Sequence, residues 1–126
     1  MKNFSRAGMA ATLMATACAL SGCAPTVGER TETFELTGQR VDIVNSNVNM
    51  PVDVSERPDL AGVVVTLKTE TIGKSARMPD WSLDGTSLNV GTPCDAGFVG
   101  YCEGRFSVVV PAGTEVYLNG SPATLR

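Results

Sequence analysis

The stretch "GVVVTLKTET", Gly62 to Thr71, places Val63, Val65 and Leu67 on one side and Val64, Thr66 and Lys68 on the other. Successive side chains of an extended chain point to opposite faces, so this period of two reads as a β-strand with one buried face. The same alternation recurs around it. "TFEL" alternates Phe34 and Leu36, "RVDIVNSNVNM" aligns Val41 with Ile43, and "VDVSE" aligns Val52 with Val54. "WSLDGTSLNVG" reads as a hairpin, with Trp81 and Leu83 before a turn at Asp84-Gly85 and Leu88 and Val90 after it. "RFSVVVP" puts Phe106, Val108 and Val110 on one side, and "TEVYLNG" does the same for Val116 and Leu118.

Turn-forming clusters separate these runs, at "ERPDLAG", "KSARMPD", "DGT", "PAGT" and "NGSP". Beyond Cys23 no segment holds a helical period. Short alternating runs with regular turn signals predict an all-β domain, a small β-sandwich or short β-solenoid of about eight strands. A Trp that alternates with Leu83 reads as a core residue, although an exposed aromatic for binding is the alternative for Trp81.

The N-terminus is built differently. "MKNFSRAG" carries Lys2 and Arg6 and no acid, and Met9 to Leu20 runs twelve residues without a charge. As a helix that run would span ~18 Å, short of the ~30 Å hydrocarbon core, which suits a helical signal peptide and not a membrane span. The alternative is a buried core helix. Removing residues 1–22 of 126 would leave 104 residues with 8 basic and 13 acidic groups, a net charge of −5. Such a chain has too few cations for a nucleic-acid partner and no basic cluster for anionic lipid. With no histidine in the sequence, Ser-His-Asp chemistry, Cys-His chemistry and His-ligated zinc are excluded within this chain.

Four cysteines then have to be placed. Cys18 lies in the apolar run that cleavage would remove. Cys23 ends the sequence Leu20-Ser21-Gly22-Cys23, which resembles the lipobox of bacterial lipoproteins. That resemblance implies cleavage between Gly22 and Cys23 and a diacylglyceryl group on the Cys23 thiol. It places the protein at the outer face of the cell membrane, with the membrane as its partner through that lipid. An ordinary cleaved signal with a free or paired cysteine is the alternative. In "PCDAGFVGYC", Gly97 and Gly100 allow the chain to fold back so that Cys94 pairs with Cys102 in an oxidising compartment. Two thiolates could instead hold zinc, but two further ligands would have to come from Asp95, Glu103 or more distant carboxylates, without CxxC spacing. Residues 23–32, with Pro25 and Gly28 and no apolar periodicity, read as a lipidated tether, and the folded domain as 33–126.

No phosphate-cradling loop or nucleophile elbow is present. Asp42, Asp53, Asp80, Asp84, Asp95 and Glu103 fall in different strands and turns, and Asp84-Gly85 reads as a turn before it reads as a calcium ligand. Neither catalysis, a cofactor nor a metal is expected.

The order "VDIVNSNVNM", "VDVSE", "GVVVTLKTET", "WSLDGTSLNVG" and "VVVPAGTEVYLNG" resembles the bacterial adhesin-like family with head-GIN-type domains. The resemblance runs over roughly residues 33–120, and "VVVPAGTEVYL" is its distinctive part. It implies a cell-surface location, a strand leading into β-helix rungs, and adhesion as a role, and it brings no catalytic residues with it. Family members continue into glycine-punctuated strands such as "SGDVTV", whereas this sequence runs into "NGSPATLR". A complete short member and a product lacking its solenoid are both compatible with that ending. The sequence thus leads to a lipid-anchored extracytoplasmic β domain that binds or supports. A ligand-binding or envelope-sensing lipoprotein is the alternative, and a small carboxylate hydrolase a more distant one.

Overall fold

The computed structural model describes residues 25–47, 49–72, 80–94 and 100–126. Its centre is the pair of eleven-residue strands that the alternation of valines dictates. In chain order the strands are β1 (Thr26–Glu35), β2 (Arg40–Val44), β3 (Val52–Arg57), β4 (Gly62–Ile72), β5 (Ser82–Asp84), β6 (Ser87–Asn89), β7 (Tyr101–Pro111), β8 (Glu115–Leu118) and β9 (Ser121–Pro122). β4 and β7 run antiparallel, from Val64 opposite Val109 to Ile72 opposite Tyr101. β1 flanks β4 antiparallel and β3 flanks β7 parallel, giving a four-stranded sheet in the order β1-β4-β7-β3.

The second sheet has five strands, in the order β5-β6-β2-β8-β9. β6 and β8 both lie parallel to β2, with Ile43 level with Leu88 on one side and with Leu118 on the other. The inner faces of the two sheets meet in one core. Val41, Ile43, Leu88 and Val116 come from the five-stranded sheet, and Val54, Val63, Val65, Leu67, Phe106, Val108 and Val110 from the four-stranded one. Burial of each such side chain contributes about 1.5–3 kcal/mol, which is the main drive holding the sheets together. Met50 and Trp81 close the flanks of the core.

The parallel pairs give the sandwich a solenoid character. β2 passes to β3 across the core, and β6 passes to β7, so the order β6-β2 in one sheet is matched by β7-β3 in the other. β8 follows as the next layer. Beyond it, the Arg126 N–H donates to the Val54 carbonyl at 3.1 Å, and the Arg126 carbonyl accepts from the Glu56 N–H at 3.4 Å. That two-bond pattern brackets Ser55 as a parallel neighbour would. Sandwich and solenoid are therefore both present, in two mixed sheets that do not close into a barrel.

Asparagines join these layers at one corner. Asn119, in the left-handed region with φ 49°, bonds the main chain of Asn45. Asn47 donates through Nδ2 to Asn45 Oδ1 at 2.8 Å and to the Gly91 carbonyl at 2.7 Å. The segments following β6, β2 and β8 are thereby linked by amide side chains, which satisfy main-chain groups that no ladder reaches.

Two boundaries differ from the sequence reading. Residues 26–32, expected as part of a tether, belong to β1, which pairs along its whole length with β4 from Thr26 opposite Thr71 to Glu35 opposite Gly62. Its side chains are nearly all exposed because β1 is an edge strand, and so the apolar alternation that betrays a strand is missing. Among the described residues the folded domain therefore takes in Thr26 onward, and not only residues from 33. In the hairpin, Asp84 pairs with Ser87, which moves the two-residue turn to Gly85-Thr86. Gly85, at φ 62°, takes the first turn position, where a primed hairpin turn favours glycine. The expected signal helix, the cleavage site at Gly22 and Cys23 itself lie outside the described residues.

Candidate functional site

The outer face of the four-stranded sheet carries rows of charged side chains. Inward-facing Leu67, Thr69 and Thr71 alternate along β4 with outward Lys68, Glu70 and Ile72. The register of β4 with β7 sets Lys68 opposite Arg105, Glu70 opposite Glu103 and Ile72 opposite Tyr101. β1 adds Glu29 beside Lys68 and Val27 beside Glu70. A shallow groove follows these rows, lined by Val27, Pro51, Lys68, Glu70, Glu103 and Arg105 among others.

Like charges directly opposite each other cost free energy, and partners elsewhere offset part of that cost. Arg105 reaches the next strand, where its Nη1 lies 3.0 Å from Asp53 Oδ2. Asp53 also meets Arg126, whose Nη2 lies 3.5 Å from Oδ1. The Tyr101 hydroxyl donates to Glu103. All of these groups face solvent, so the pairs act mainly as electrostatic pattern and contribute little stability.

Of the six carboxylates singled out in the sequence, the five among the described residues are not brought together. Asp53 and Glu103 share the outer face of the four-stranded sheet, on adjacent strands with Arg105 at a row between them. Asp42 lies on the other sheet. Its carboxylate accepts from Arg40 Nε at 3.2 Å and Nη2 at 3.0 Å, and from the Thr86 hydroxyl at 2.8 Å. Those hydrogen bonds, from Arg40 first and Thr86 second, hold Asp42 below the usual carboxylate range. The Arg40 guanidinium also stacks 4.3 Å from the centre of the Tyr117 ring. Asp80 and Asp84 stand exposed on either side of Trp81 and Leu83, and Asp95 lies outside the described residues. Glu70, which sequence reasoning passed over, is the carboxylate that does find a neighbour. Only the β4–β7 register reveals it.

Cys94 and Cys102 have their sulfurs at disulfide distance and their Cα atoms 5.7 Å apart. In that state neither sulfur is a thiolate, which removes the two ligands on which a zinc site there would depend. Among the described residues, no group of three or more His, Cys, Asp or Glu side chains is placed to hold a metal. Trp81 is 8% exposed and packs its ring edge-on against Phe34 at 6.5 Å, in the core as its alternation with Leu83 implied. Comparison with protein-family models, curated proteins and solved structures finds no match for this chain. What the geometry offers is an open, charge-patterned β surface on the four-stranded sheet.

Proposed function

We propose that this protein is a lipid-anchored extracytoplasmic β module that acts through surface contact, in binding, adhesion or support, and not through catalysis. The observation that carries the reading is the position of Cys23. It follows Leu-Ser-Gly after a charged and then an apolar segment, and it stands three residues before the first strand of the folded domain. With Cys94 and Cys102 joined to each other, no cysteine of the described residues remains to pair with it. Two acyl chains bury enough CH₂ groups, at about 0.8 kcal/mol each, to hold a chain of net charge −5 without a basic patch.

The resemblance to head-GIN-type adhesin-like domains supports a surface role, and the parallel layering of β6, β2 and β8 agrees with the rungs that this resemblance implies. The groove-like surface supports a binding role through recognition of a protein or envelope component. Fractionation tests the anchor. Wild-type protein expressed in a bacterium should sediment with membranes and carry the mass of a diacylglyceryl-modified residue 23. Cys23→Ala should be released or left uncleaved. A Cys23→Ala protein that stays in the membrane fraction at unchanged mass would overturn the reading.

A further inference from the structure

Four large apolar side chains are exposed among the described residues, and three of them lie at one place. Val27 is 75% exposed, Ile72 45% and Tyr101 43%, whereas the fourth, Val44, sits on the other sheet. Ile72 and Tyr101 face each other across the last pair of the β4–β7 ladder. Val27 lies one row in, beside Glu70. Strand alternation directs all three to the outer face, since Thr69 and Thr71 between them point inward and are buried.

This is also the end of the sheet at which the chain enters from Cys23. Thr26 is the first residue of β1 and pairs with Thr71. Three residues of fully extended chain reach about 10–11 Å, so Cys23 cannot stand further than that from Thr26. The interfacial layer of a bilayer is about 5–8 Å thick on each side of its hydrocarbon core. A lipid on Cys23 therefore leaves at most a few ångströms between the headgroup layer and the start of β1. It holds this row of apolar side chains close to that layer.

We infer that the Val27–Ile72–Tyr101 corner of the four-stranded sheet is a membrane-contact surface that fixes the orientation of the domain on the bilayer. The inference rests on the lipidation of Cys23. Tyrosine suits the position, because its ring is apolar while its hydroxyl stays wet, here hydrogen-bonded to Glu103. The contact is apolar and not ionic, since Glu70 and Glu103 form the next row and would be repelled by an anionic surface. It need not bind lipid by itself. The acyl chains already hold the corner at the interface at high effective concentration, and a few apolar groups then suffice to bias its orientation. β1 then leads away from the bilayer over ten residues, about 33 Å of strand, and carries its far end at Glu35 outward.

Hydroxyl-radical footprinting of the lipidated protein in phosphatidylcholine vesicles, against unlipidated Cys23→Ala protein expressed as the mature chain from residue 23 and free of vesicles, tests this with the wild-type corner intact. Oxidation of Tyr101 should fall severalfold in vesicles, while Tyr117 on the other sheet changes little. Equal oxidation of Tyr101 in both samples, with intact mass showing lipid on Cys23, would overturn the membrane-contact surface and leave the anchor standing. An intact mass showing no lipid on Cys23 would overturn both. A second readout places a photoreactive phenylalanine at position 72 or, as a control on the same face, at position 107. Lipid adducts should form from 72 and not from 107, and equal labelling at both would refute the orientation.

Discussion

Asn119 grips the main chain of Asn45 from both sides: its Oδ1 accepts the Asn45 N–H at 2.9 Å and its Nδ2 donates to the Asn45 carbonyl at 3.0 Å. The two residues are 74 positions apart and belong to neighbouring parallel layers. Replacing Asn119 by Ala removes both bonds and strains a backbone at φ 49°. A loss of about 1–3 kcal/mol is expected, seen as a lower urea midpoint with an unchanged slope. Asn119→Gly separates the two causes, because glycine accepts this φ freely. It should recover only the backbone part, and full recovery would mean that the amide contacts contribute nothing.

Trp81 is the only tryptophan, and it reports on the flank of the core. Its indole N–H donates to Glu32 at 3.1 Å and its ring meets Phe34 nearly at right angles, 87°. Both partners come from β1. Phe34→Ala should shift the tryptophan emission to the red in the native protein and destabilise it by about 2–4 kcal/mol, somewhat less than for a fully buried ring. Glu32→Ala should leave the emission nearly unchanged and cost about 1 kcal/mol or less, since Glu32 is exposed and water can replace it. Native emission unaffected by Phe34→Ala would mean that β1 does not shield Trp81.

These two contacts also mark where the sequence was legible. Alternation placed Val63, Val65, Leu67, Phe106 and Val108 in the core and marked the strands that carry them, because burial of one face imposes a period of two. It gave no sign of β1 before Phe34, whose exposed edge position removes that constraint. Nor could it set partners. Parallel pairing of β2 with β6 and β8 joins segments far apart in sequence, and nothing local encodes it. The same holds for the site: Glu70 and Glu103 become neighbours only through register, and Asn45, Asn47 and Asn119 look like ordinary turn residues until the layers are stacked. The cysteines were easier, since Cys94 and Cys102 are close in sequence and flank a glycine-containing loop.

Acid should erase the contribution of Asp42. Its folded-state pKa is depressed by hydrogen bonds from Arg40 and Thr86, so the stabilisation is present above the unfolded value and is lost as pH falls through the folded one. Wild type should be more stable than Asp42→Asn at pH 6, and the gap should close below about pH 4. A gap that stays constant from pH 6 to pH 2 would show that the carboxylate charge plays no part. NMR titration of the Asp42 carboxyl provides the direct check.

Reduction should weaken the start of β7. Cys94 and Cys102 are eight residues apart, and Cys102 pairs in the ladder with Thr71. Cross-linking a loop of this length restrains the unfolded chain by about 2–3 kcal/mol in the chain-entropy model. The Cys94→Ala/Cys102→Ala variant should therefore melt several degrees lower, with faster amide exchange at Tyr101 to Glu103 than at Val108 to Val110. Uniform acceleration along β7 would instead indicate loss of global stability without a local effect.

Gly104 tests how tightly the flank is packed. It lies on the inner face of β7, where a Cβ would strike the Met50 methyl and come within 3.3 Å of the Lys68 carbonyl. Overpacking of this kind costs about 1–3 kcal/mol, and Gly104→Ala should show it as a reduced denaturant midpoint. The methyl end of Met50 is flexible and the Lys68 carbonyl is fixed in the ladder, so shortening Met50 should relieve only the first clash. Met50→Ala alone opens a cavity and is also destabilising. The Gly104→Ala/Met50→Ala double variant should then be more stable than the sum of the two single losses. A coupling of 0.5 kcal/mol or more, about the lower bound for residues in contact, is the expected sign that the two side chains compete for the same space. Strict additivity would place the whole penalty on the backbone contact with Lys68, or on the loss of glycine itself.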